Sequence, residues 1–166
     1  MAKVASTVIR TLMHPTQQQA VLLDELVQST YQTYCFVLDG LEAKRWKIDD
    51  DNMLKVVDTD IRRDWIDNRP QGLCPMVMRK YVHREACHNW LDTLWSRRLF
   101  LQLKEQHANR FYMPASGHKI EKGSTLYIAG VGYVLVDPVE LPGRMHLIIG
   151  HKEDDKWIAE IRTACL

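Results

Sequence analysis

Leu126-Tyr-Ile-Ala-Gly-Val-Gly-Tyr-Val-Leu-Val136, continued by Met145 to Gly150 and Trp157 to Thr163, is the stretch whose reading decides the fold. Short runs of aromatic and β-branched residues are cut by Gly130-Val-Gly132, Asp137-Pro138 and Pro142-Gly143, and the polar Lys152 to Lys156 joins the last two runs as a hairpin. Such runs, bounded by turn-formers, read as antiparallel strands. One more short strand, His118 to Lys122, precedes a Lys-Gly-Ser turn. At the other end of the chain Ala2 to Met13 mixes Val4, Val8, Ile9 and Leu12 with Ser6, Thr7 and Thr11, and reads as a strand as well.

The middle has a different period. His14-Pro15-Thr16 stops the first strand, and Thr16 with Gln19 forms a capping box that opens a helix. Its apolar stripe runs Leu23, Val27, Thr30, Tyr34, Val37 and Leu41, at gaps of three and four, with the pattern persisting to about Trp46. Asp49-Asp50-Asp51 favours a new helix start, followed by Leu54, Val57, Ile61 and Trp65. After the turn Asn68 to Gly72, Pro75 begins the longest predicted helix, to about Gln106, with no internal Gly or Pro. Neighbours in sequence usually pair, so the first strand joins the later ones and the helices become an insertion. The expectation is an α+β fold: a small antiparallel, OB-like β-barrel with a helical bundle inserted after its first strand. Residues 1–14 give that strand, 15–113 the helical insertion and 114–166 the remaining strands, in one composite domain.

At 166 residues, 46% hydrophobic and 26% charged, the chain can bury a core and is no disordered tail. No apolar run of about 18 residues offers a membrane span, and Met1 to Arg10 has no secretory h-region. Cys35, Cys74, Cys87 and Cys165 stand far apart, which points to buried thiols in a reducing cytoplasm rather than to disulfides or zinc. Neither a metal nor another cofactor is expected. Charge is near balance overall but uneven. Residues 71–122 carry 9 basic groups against 4 acidic, net +5, while 1–70 (9 against 11) and 123–166 (4 against 6) are each net −2. A local excess of Lys and Arg suits a polyanion, although a solvated helix face explains it equally well.

Chemistry-bearing motifs are few. Gly130-Val-Gly132 lacks the third glycine and the following helix of a dinucleotide loop, so a tight turn or bulge is the better reading. His83 and His88, five residues apart, do not share a helix face as metal ligands do, and Cys87 beside His88 reads as core. No spaced carboxylate set and no nucleophile motif is present, so no enzyme is expected. What remains is a basic series: Arg79, Lys80 and Arg84, then Arg97, Arg98 and Lys104, then Arg110 and Lys119. On one continuous helix Arg79, His83, Arg97 and Lys104 would fall within about 60° of each other. Phe111 and Tyr112 follow at its end. The eight basic residues are candidate phosphate contacts and Tyr112 a weaker candidate base-stacking ring, since a core role is the better reading of both aromatics.

Leu12-Met-His-Pro-Thr-Gln-Gln-Gln, Leu22-Leu and Phe36-Val-Leu-Asp39 resemble the opening of TnpB-type transposon proteins, relatives of type V CRISPR effectors. Pro75-Met-Val-Met78 with the helix to Trp95 is similar to that family's next helix. Leu126 to Val134, Leu141-Pro-Gly143 and Lys156-Trp157 are similar to its later strands. The resemblance implies a wedge β-barrel carrying a helical recognition insertion that grips RNA. With neither the carboxylate set nor a Cys-x-x-Cys pair in the sequence, it implies this module without the cutting machinery, of the kind a phage or mobile element would encode. Leu12, His14 and Asp39 depart from the family's arginine, tyrosine and asparagine, so generic RNA binding is expected in place of guide-specific recognition. The expected partner is RNA or single-stranded DNA, with no membrane involved. Two rivals are a duplex-DNA-binding or nuclease-decoy protein and a protein–protein adaptor. Should the basic edge carry no affinity, the strands around Tyr127 and Tyr133 are the next place to look.

Overall fold

The computed structural model describes residues 6–46, 76–93, 96–115 and 124–164. The helix start at Asp49, the turn at Asn68, the strand at His118 and the candidate Lys119 lie outside them. Among the described residues the fold is α+β, with three helices inserted after the first of six strands. The order is β1 (Ser6–His14), α1 (Gln17–Glu42), α2 (Met76–Asp92), α3 (Arg97–Gln106), β2 (Arg110–Pro114), β3 (Thr125–Ile128), β4 (Gly132–Val136), β5 (Arg144–Glu153) and β6 (Lys156–Ala164). The chain divides into two compact units, 1–27 with 110–166, and 28–109. The division falls within α1.

In the first unit the strands form one curled antiparallel sheet in the order β2-β5-β6-β1-β4-β3. β1 does double duty: Ser6 to Leu12 pair with β6, and Met13 and His14 pair with β4. Alternation then fixes the faces. Thr11 and Met13 on β1 are buried, as are Trp157, Ala159, Ile161 and Thr163 on β6, while Arg10, His14 and Arg162 stand in solvent. β5 breaks the alternation, with Leu147 to Gly150 buried in succession, so both of its faces are covered there. Turn chemistry matches the sequence. Asp154 (φ 49°) and Asp155 (φ 63°) close the β5–β6 hairpin as a two-residue turn of type I′, a conformation Asp tolerates. Gly130 (φ 85°) and Gly132 (φ 103°) supply the left-handed backbone between β3 and β4, so the Gly-Val-Gly motif is a turn.

α1 opens on the expected capping box. The Thr16 amide donates to Gln19 Oε1 at 3.0 Å, and the Gln19 amide donates to Thr16 Oγ1 at 3.1 Å. Gln19 Nε2 then donates to the Tyr133 carbonyl at 2.7 Å, tying the first turn to β4. Of the predicted stripe, Leu23, Thr30, Tyr34, Val37 and Leu41 are buried and Val27 is half-buried. The helix stops at Glu42, short of Trp46. Lys44 takes a left-handed φ of 54°, and the amides of Lys44 and Arg45 bond back to Leu41 and Gly40, a Schellman closure.

Two boundaries differ from expectation. The single long helix is two helices, α2 and α3. Thr93 bonds its hydroxyl back to the Trp90 carbonyl at 3.0 Å, and Ser96 caps α3 by accepting from the Leu99 amide at 3.4 Å. Side chains that compete for backbone groups favour helix ends over helix interiors. The strands also resume at Arg110, before Pro114, because Arg110 to Pro114 pair with His151 to Leu147 of β5.

Candidate nucleic-acid interface

The break between α2 and α3 undoes the expected basic edge, since Arg97 and Lys104 belong to a different helix from Arg79 and His83. On α2 the core-facing residues are Met78, Val82, Ala86 and Cys87, with His83 buried among them in sequence. At 100° per residue, Arg79 falls within that same arc. It is half-buried, and its Nε is enclosed without a hydrogen-bond partner among the described residues. Arg79 is therefore less open to solvent than Lys80 and Arg84 on the same helix. The opposite side of α2 carries Lys80, Arg84 and His88 at i, i+4 and i+8, all exposed, and the row closes with exposed Asp92. Among the described residues neither Lys80 nor Arg84 is in an ion pair. Helical spacing from Arg84 is the sequence signal for His88, whose spacing from His83 says only that the two do not share a metal.

α3 and the second half of α1 neutralise each other. Lys104 Nζ lies 2.6 Å from Asp39 Oδ1, and Arg97 lies 3.2 Å from Glu42, whose other oxygen accepts from Trp90 Nε1 at 3.2 Å. These exposed pairs contribute little stability, yet they tie up two of the candidate cations. Arg98 remains exposed. Nearby, Tyr34 stacks on His107 with centroids 4.3 Å apart, and its hydroxyl accepts from Asn89 Nδ2 at 3.0 Å. Burial pushes the Tyr34 phenol up to about 12, and burial also raises the Cys35 thiol. A raised thiol is a poor nucleophile at neutral pH.

In the sheet unit, Arg110 is half-buried at the start of β2, opposite His151. Tyr112 is 4% exposed and pairs with buried Ile149. Its ring is core, and it presents no face to a base. An open cleft of about 540 Å³ lies where β1 meets α1, floored by Leu12, Met13 and Trp157. Its lysines are balanced: Lys152 sits 5.4 Å from the Trp157 ring centre and 3.5 Å from Asp24, and Asp155 lines the cleft beside Lys156. Tyr127 on β3 and Tyr133 on β4 face each other in register on an exposed part of the sheet, centroids 5.2 Å apart.

No protein-family model matches the chain, and no curated protein matches it. The functional reading therefore rests on the residues themselves. Among the described residues no three His, Cys, Asp or Glu side chains gather as a metal site, and no helix is long and apolar enough to cross a membrane.

Proposed function

We propose that this chain is a non-catalytic RNA-binding protein, similar to the wedge and recognition region of TnpB-type proteins, and that it acts in the cytoplasm of its host. The observation that carries the reading is the row Lys80, Arg84 and His88 on the solvent side of α2. Charges held on a rigid helix and not consumed by carboxylates are what a phosphate backbone recruits. Arg98 adds a further exposed cation on α3. The curled sheet interrupted by helices after its first strand agrees with a wedge or OB-like barrel bearing a recognition insertion.

The test is a titration of labelled single-stranded RNA, duplex RNA and duplex DNA at several salt concentrations. RNA affinity falls steeply with salt, and Lys80→Ala with Arg84→Ala flattens the log–log slope by roughly 0.7 per contact for single strands. The same pair of changes weakens unrelated RNAs alike, because phosphate contacts carry no sequence information. Arg97→Ala has the smaller effect, since its charge is already engaged by Glu42. A preference for duplex DNA instead favours the DNA-binding rival. Salt-insensitive or absent nucleic-acid binding favours the adaptor.

A further inference from the structure

Six large apolar side chains stand well out in solvent among the described residues, and three of them share one hairpin. Val8, Val21 and Leu101 are scattered over β1, α1 and α3, whereas Tyr127, Tyr133 and Leu135 are 37%, 57% and 60% exposed on β3 and β4. Alternation puts all three on the same face, and the register sets Tyr127 opposite Tyr133 and Thr125 opposite Leu135. The two rings are tilted by 58°. The other aromatics described in this unit, Phe111, Tyr112 and Trp157, are buried. A cross-strand aromatic pair steadies a hairpin, which explains the pairing but not the exposed Leu135 beside it.

Size decides what covers this surface. Its exposed apolar area is roughly 300 Å² on the usual size of such side chains. A stable protein–protein contact needs about 800 Å² from each partner. The apolar patch by itself falls well short of that area, and its extent suits one or two flat rings. Among the described residues β3 is the last strand in the sheet order. The nearest carboxylate in register is engaged: Asp137 lies 2.6 Å from His14 Nε2, and His14 pairs with Leu135. We propose that Tyr127, Tyr133 and Leu135 form a stacking platform for one or two unpaired RNA bases. The proposal rests on the RNA-binding reading and names what the sheet unit contributes to it. Stacking tolerates any base, because every base has a π-face.

The experiment measures affinity of the full chain for a labelled 12-nucleotide single strand and for duplex RNA of the same length. Four variants are compared with the parent: Tyr127→Leu with Tyr133→Leu, Tyr133→Leu alone, Tyr133→Phe, and Lys80→Ala with Arg84→Ala. Loss of both rings weakens single-strand binding about tenfold or more, Tyr133→Leu less, and Tyr133→Phe hardly at all. The salt slope is unchanged, since no phosphate contact is lost, and duplex binding is unaffected because its bases are already stacked. If the folded leucine variants bind the single strand like the parent while the α2 variant is weakened, the platform is wrong and the RNA reading stands. The platform is equally wrong if the leucine variants only melt earlier, or if they abolish a self-association seen by sedimentation without changing RNA affinity. If the parent binds neither RNA, both fail.

Discussion

Each unit of this protein lays a buried aromatic ring directly on a glycine, and the two placements differ in the backbone that carries the glycine. In the sheet unit Phe111, fully buried on β2, covers Gly150 on β5, and a Cβ added there would overlap the ring. In the helical unit Trp46 folds back over Gly40 of α1, and an added Cβ would overlap the indole in the same way. Phe111 and Gly150 are register partners held between paired strands, with Tyr112 and Met113 buried after Phe111 on the same strand. Trp46 follows the Schellman closure of α1, outside the described strand ladders, and is buried as well. One glycine therefore sits in a strand pair and the other inside a helix, where the backbone itself prefers alanine.

That contrast sets the largest stability prediction. Gly150→Ala destabilises by about 1–3 kcal/mol, the usual cost of overpacking a tight core. Gly40→Ala meets a similar overlap, but Ala is favoured over Gly in a helix by about 1 kcal/mol. The net loss is therefore smaller than for Gly150→Ala. Urea melts of both variants check this, and equal losses would show that the helical preference for alanine does not offset the overlap at Gly40.

The same contrast accounts for what is legible in the sequence. In strands a side chain's face follows from parity alone, so the strands carrying Leu126, Val134 and Ile161, and the turns at Gly130 and Asp154, follow from alternation and punctuation. Helical faces depend on phase carried across many residues. The interruption at Thr93 and Ser96, two polar residues with no Gly or Pro between them, breaks that phase, and an unbroken helix wrongly groups Arg79 and His83 with Arg97 and Lys104. Lys80 and Arg84 are candidates from charge alone, but their shared side with His88 needs the buried positions Met78, Val82 and Ala86 to fix the phase. Tyr112 shows the complementary difficulty. A five-residue strand between Asn109 and Ala115 is too short to declare its period, and burial on both faces of β5 removes the alternation that would mark Tyr112 as core. The ion pairs Lys104–Asp39 and Arg97–Glu42 join residues distant in sequence, and composition does not register them.

Burial also separates the two units in their response to pH. The Tyr34 phenol is raised to about 12 by its buried position in the helical unit. A folded-state value above the unfolded one favours the neutral form in the native state. Its contribution to stability is present in full below pH 10 and is lost as pH rises from about 10 toward 12. An absorbance titration of tyrosinate shows Tyr34 ionising only near that upper limit, or abruptly on unfolding. Tyr34→Phe removes this late step and also costs the Asn89 hydrogen bond. A parent in which every tyrosine ionises by about pH 10 would mean that the Tyr34 ring is wet.

The sheet unit has the opposite dependence, and a weaker one. Glu153 is held below its ordinary value by the hydrogen bond from His151, at 2.9 Å, and then by Arg10, which reaches both of its oxygens at 2.8 Å. The His151 tautomer with its proton on Nε2 donates to Glu153 and leaves Nδ1, enclosed and without a hydrogen-bond partner among the described residues, as an acceptor. For a carboxyl depressed in the folded state, the stabilisation is present above the unfolded value and is lost as pH falls through the folded one. Arg10 and Glu153 are each about half exposed, so solvent and salt screen the pair and its contribution is small. Glu153→Gln therefore lowers the urea midpoint slightly at neutral pH, less in high salt, and not at all once the parent carboxyl is itself protonated. If the difference between parent and variant persists undiminished in strong acid, Glu153 acts through packing across β5 and β1, and its charge is incidental.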